Sequence, residues 1–137
     1  MNPADSTQPP VQQARPPTPA PTATPTVYFD GACPVCSREI AVYRKGPGGQ
    51  GIRWVDVTRC EPTDLGPDLT REAALARLHL RTPQGRLLSG AAAFADMWRH
   101  LPRWRWLGIA FGGGLRLAAL EAAYRLFLRL RRGWRRA

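Results

Sequence analysis

The first dense apolar run is Val27-Tyr28-Phe29, β-branched and aromatic, and it ends at Asp30-Gly31, a pattern that predicts a buried strand running into a turn. A helix should follow. Pro34 suits a first helical turn, where its missing N–H is not needed, and residues 37–45 hold no breaker until Gly46-Pro47-Gly48-Gly49. Residues 52–57 predict a second strand. Strand, helix and strand within about 30 residues make a βαβ unit, which pairs its strands in parallel. Residues 61–69 read as loop and residues 70–75 as a short helix. Polar and apolar positions then alternate over Arg77-Leu78-His79-Leu80-Arg81, turn through Pro83-Gln84-Gly85 and resume at Arg86-Leu87-Leu88, which predicts a β-hairpin. A further helix is expected over residues 91–101, with Ser89 as its cap and Pro102 marking its end.

The resulting order, β-α-β-(α)-β-β-α, is the minimal order of a thioredoxin-like α/β fold. Three segments follow from it. Residues 1–26 are rich in Pro and Thr and almost devoid of large apolar side chains, so they read as a disordered tail. Residues 27–102 form the expected core, and residues 103–137 a basic amphipathic helical extension packed on it. In that extension Glu121, Arg125, Arg129, Arg132 and Arg136 recur as one polar stripe, while Leu117, Leu120, Tyr124, Phe127, Leu128 and Leu130 fill much of the remainder.

Charge and cysteine usage narrow the picture. The 137 residues carry a formal charge of +10, which favours anionic partners without choosing among them. Three cysteines, Cys33, Cys36 and Cys60, are too few and too unevenly spaced for a disulfide-stapled secreted scaffold. No secretory signal pattern is visible, and the longest apolar run, Trp106 to Leu115, is far shorter than the roughly 20 residues of a membrane span. These features lead to the expectation of a soluble, cytoplasmic protein able to touch a membrane surface.

Cys33 and Cys36 admit three readings: half of a metal site, a redox pair, or inert buried thiols. A structural zinc site needs four ligands, and Cys60, His79 and His100 stand at no close ligand spacing, so no metal or other cofactor is expected. His79 reads instead as an outward residue of an alternating strand, and His100 as a residue favoured near a helix C-terminus. Position favours the redox reading. At a helix start, unpaired N–H groups and the positive dipole end stabilise a thiolate on Cys33, and Cys36 lies one turn on, within reach for disulfide closure. The expected division of labour is Cys33 exposed and attacking, Cys36 shielded and resolving. Asp30 could serve the proton chemistry of the dithiol or only the turn, by bonding its N–H groups. Cys60 reads as a bystander, with a second resolving cysteine as the alternative.

The stretch Asp30-Gly31-Ala32-Cys33-Pro34-Val35-Cys36 resembles the D-G-x-C-x-x-C motif of the DCC family of thiol-disulfide oxidoreductases. The likeness continues through residues 87–94, 98–102, 104–107 and 123–127, so it spans roughly residues 27 to 132. It implies a thioredoxin-like fold, with Cys33 and Cys36 as the active-site pair, Asp30 as the family aspartate, and a disulfide-containing protein or small thiol as partner. Thioredoxins usually carry a proline just before the third strand, where this chain reads Leu75-Ala76-Arg77-Leu78. The competing reading is a binding protein on the same scaffold. Its working surface would be Arg103, Arg105, Arg125, Arg129, Arg131, Arg132, Arg135 and Arg136, with Trp104, Trp106 and Trp134. That surface could meet an anionic membrane or, less favoured, nucleic acid.

Overall fold

The computed structural model describes residues 24–135, with side chains to residue 133. The expected Pro/Thr-rich tail therefore lies outside the described residues up to position 23, as do Arg136 and the side chains of Trp134 and Arg135. Four strands, β1 (Thr26–Phe29), β2 (Arg53–Asp56), β3 (His79–Arg81) and β4 (Leu87–Ser89), form one mixed sheet in the order β2-β1-β3-β4. The β1–β2 pair is parallel, and β1–β3 and β3–β4 are antiparallel. The helix α1 (Pro34–Lys45) is the crossover between the parallel strands, as the βαβ pattern requires. The remaining described helices are α2 (Pro62–Leu65), α3 (Arg71–Ala76), α4 (Ala91–Arg99), α5 (Arg105–Ala110) and α6 (Gly114–Arg135). This is a thioredoxin-like α/β arrangement.

Alternation along β1 explains the layering, since successive side chains of a strand point to opposite faces. Val27 and Phe29 join Ile40 and Tyr43 of α1, Met97 and Trp98 of α4, and Tyr124 of α6 in one core. Tyr28 points the other way, into a smaller core with Val55, Val57, Leu65, Leu69 and Ala74 beneath α2 and α3. Because both faces are covered, β1 is buried along its whole length.

That coverage also corrects two expectations. His79 is not outward. It pairs with Tyr28 across the β1–β3 ladder and is only 7% exposed. Its Nδ1–H donates to the Arg77 carbonyl at 2.9 Å. Nor does Ser89 cap α4, because it is the last residue of β4. Gly90 takes the cap position at φ 61°, where a side chain would be strained, and the acceptor comes from α6, with Glu121 Oε2 receiving the Ala91 N–H at 3.2 Å. The segment read as loop before α3 also contains α2, whose start is closed by reciprocal bonds between Glu61 and Asp64.

Within α6 the burial departs from the expected stripe. Leu130, expected on the covered face, is 54% exposed, while Arg131, grouped with the surface arginines, is 8% exposed. The buried face runs through Leu120, Tyr124, Phe127 and Leu128. Arg131 continues that face at the next helical step, three residues after Leu128.

Candidate active site

The dithiol sits where β1 hands over to α1, at the carboxyl ends of the two parallel strands. Register builds the turn that precedes it. Pairing Phe29 with Asp56 brings the Asp56 carboxylate beside Gly31, whose N–H donates to Asp56 Oδ1 at 3.1 Å. A Cβ at residue 31 would overlap that carboxylate, which is why the turn needs glycine there. Asp30 closes the same turn from inside: its Oδ1 accepts the Ala32 N–H at 3.0 Å and its carbonyl accepts the Cys33 N–H at 3.2 Å.

Cys33 is the N-cap residue of α1, with extended backbone at φ −85° and ψ 114°. Its sulfur accepts the Cys36 N–H at 3.3 Å, so the thiol performs the task that a Ser or Asp side chain usually has at a helix start. Pro34 follows at the first helical position, and Arg44 and Lys45 complement the dipole in the last turn. No disulfide joins the two site cysteines in this structure. Their exposures reverse the expectation: Cys33 is 1% exposed and Cys36 partly exposed. The N-cap role turns the Cys33 sulfur inward along the helix axis, whereas Cys36 lies a turn further on at the edge of a small cavity.

Burial is the main cause that pushes the Cys36 thiol up to about 12, and a hydrogen bond to the Cys33 sulfur adds to it. Arg131 acts in the opposite sense, through a hydrogen bond to Cys36 and its positive charge. The cavity beside Cys36 has a volume of about 20 Å³ and is bordered by Asp30, Glu39, Arg77, Tyr124 and Arg131. That is room for about one water molecule.

Arg131 is the site residue that sequence reasoning missed. Its Nη2 donates to the carbonyls of Leu75 and Ala76 at 2.9 and 3.1 Å, and its Nη1 lies 3.8 Å from Asp30 Oδ2. Leu75 and Ala76 end α3, so the guanidinium satisfies carbonyls that have no intrahelical partner and meets the negative end of the helix dipole. The available signal was a charged residue continuing the helical spacing of the covered face. Asp30 therefore bonds the turn through one oxygen and faces a buried cation through the other.

Two more contacts from α6 hold the segment that lacks proline. The Tyr124 hydroxyl accepts the Leu78 N–H at 2.7 Å, and Glu121 pairs with Arg77. Cys60 is elsewhere, packed against the smaller core on the sheet face opposite α1. His100 caps the C-terminal end of α4 and lies 3.4 Å from Asp96. Among the described residues, no three His, Cys, Asp or Glu side chains gather as metal ligands would, and no helix is long and apolar enough to cross a membrane.

The protein-family model described as DCC1-like thiol-disulfide oxidoreductase matches residues 27–137. No curated protein and no solved structure matches the chain.

Proposed function

The chain belongs to the DCC1-like thiol-disulfide oxidoreductase family, and from that premise we propose that Cys33 and Cys36 exchange disulfides with a protein or small-molecule partner. Cys33 attacks as the thiolate. A bond forms between its sulfur and one sulfur of the substrate disulfide, and the other substrate sulfur leaves with the electron pair as a thiolate. Cys36 then gives up its proton, attacks the Cys33 sulfur and displaces the remaining substrate thiolate. The protein is left with a Cys33–Cys36 disulfide, and the substrate has gained two electrons. Asp30, on the same cavity as Cys36, is the proposed proton acceptor, reached through one water.

The observation that carries this reading is the Cys33 sulfur at the start of α1, accepting the Cys36 N–H. Negative charge is favoured at that place by the helix dipole and by the bond itself. Since Cys33 is buried, substrate engagement in this reading includes an outward movement of the turn around Ala32. The test is trapping: Cys36→Ser should accumulate mixed disulfides with a disulfide-bearing partner, whereas Cys33→Ser should not. Equal trapping removes the assignment, and the reverse pattern transfers the attack to Cys36.

A second reading has one specific observation behind it. Leu115, Ala119, Ala122, Leu126 and Leu130 lie along one exposed strip of α6, with Leu115 89% exposed, and Arg125 and Arg129 stand beside it. An apolar strip edged by arginines suits shallow contact with an anionic membrane surface. Sedimentation with anionic but not zwitterionic vesicles, weakened by salt and by Leu126→Glu, would support that contact. Indifference to lipid charge would remove it.

A further inference from the structure

Arg131 has no role in the exchange itself, yet it is a buried cation on the same small cavity as the resolving cysteine. Buried guanidinium groups are costly unless each is paired and hydrogen-bonded. Here that cost is offset by two carbonyls at the end of α3 and by Asp30. The placement is thus rigid on three sides, and Cys36 borders the same cavity. Resting on the dithiol reading above, we infer that Arg131 is a positioning residue for the resolving step, holding a fixed positive charge beside the Cys36 sulfur as it becomes a thiolate.

The chemistry requires such a device. In the resolving step the S–H bond of Cys36 breaks, its proton passes to an acceptor, a Cys36–Cys33 bond forms, and the bond from Cys33 to the substrate sulfur breaks. Negative charge appears on Cys36 before that sulfur attacks. The surroundings mostly oppose it: burial and the Cys33 sulfur raise the thiol, and Asp30 and Glu39 bring carboxylates to the cavity. Tyr124 contributes a hydroxyl that accepts the Leu78 N–H. Arg77 is taken up by Glu121, which leaves Arg131, on the same cavity as Cys36, as the cation whose charge favours the thiolate.

The test separates the two half-reactions in the full chain carrying Cys60→Ser, with dithiobis(nitrobenzoate) as an aromatic disulfide probe. Attack by Cys33 releases one coloured thiolate and resolution by Cys36 releases the second, so two phases are read in one trace. Arg131→Gln keeps a donor for the carbonyls but loses the charge. Its second phase should slow about tenfold at pH 7, the equivalent of one pKa unit, and its pH midpoint should rise. Arg131→Lys keeps the charge and should recover most of the rate. An unchanged second phase in Arg131→Gln, or equal slowing in both variants in proportion to lost stability, overturns the inference. Absence of a first phase assigned to Cys33 would instead overturn the dithiol reading. If neither variant folds, the Arg131 Nε–H resonance of the wild-type protein decides: it should shift between the dithiol and disulfide forms, and a resonance indifferent to redox state overturns the inference.

Discussion

Replacing Tyr124 with phenylalanine removes a single oxygen from the interior and tests how α6 holds the segment leading into β3. The hydroxyl accepts the Leu78 N–H at 2.7 Å in a buried position. The ring itself stays put in this substitution, with Phe94 at 5.2 Å, Phe127 at 6.2 Å and the Arg77 guanidinium at 5.7 Å from its centroid. No cavity of consequence opens, so the cost is that of an orphaned buried amide, about 1–3 kcal/mol. Urea unfolding should show this as a midpoint lowered by about 1 M with the slope unchanged, given slopes of roughly 1–3 kcal/mol per molar for small domains. Native-state exchange should locate the effect, with the Leu78 amide losing protection ahead of β1. A loss under about 0.5 kcal/mol together with unchanged Leu78 protection would refute the reasoning, because another acceptor would then have to serve that amide.

Gly31→Ala should destabilise by about 1–3 kcal/mol, because the new methyl displaces the Asp56 carboxylate from Gly31 and Thr58. In thermal unfolding the double variant with Asp56→Ala should recover part of that loss, and strict additivity would count against the overlap. For Cys36, with its thiol pushed up to about 12, the alkylation rate of its peptide should keep climbing with pH beyond pH 9.0, where an ordinary thiol levels off. A plateau near pH 9.0, followed by mass spectrometry, would contradict that. Burial lowers His79 below its ordinary 6.5. The unfolded chain therefore binds a proton that the native state refuses, and stability should decline as pH falls below 6.5. The decline should be shallower in His79→Gln, and equal pH profiles by urea titration would discount the burial of this ring.

The family match and the mixed sheet agree with the resemblance carried by Asp30-Gly31-Ala32-Cys33-Pro34-Val35-Cys36. The local patterns were legible for local reasons. A β-branched and aromatic run before Asp-Gly has few alternatives to a strand, and a proline followed by a run without breakers up to Gly46 has few alternatives to a helix. The boundaries of β1 and α1 accordingly fall within a residue or so of the pattern.

What local pattern could not supply was which face of each element is covered, and by what. Alternation sent His79 outward because nothing near it in the chain announces that α2 and α3 close the second face of the sheet. Ser89 looked like a cap because the real acceptor, Glu121, is 30 residues away on α6. Arg131 looked like one surface arginine among many, and only docking of α6 brings it to the α3 carbonyls and Asp30. From the sequence alone came the dithiol, its place at the join of strand and helix, and the order of elements, since each depends on residues close together in the chain. Tertiary structure alone decided the burial of Cys33, the partial exposure of Cys36 and the buried cation beside them, because burial and electrostatic fields arise from groups that only the completed fold brings together.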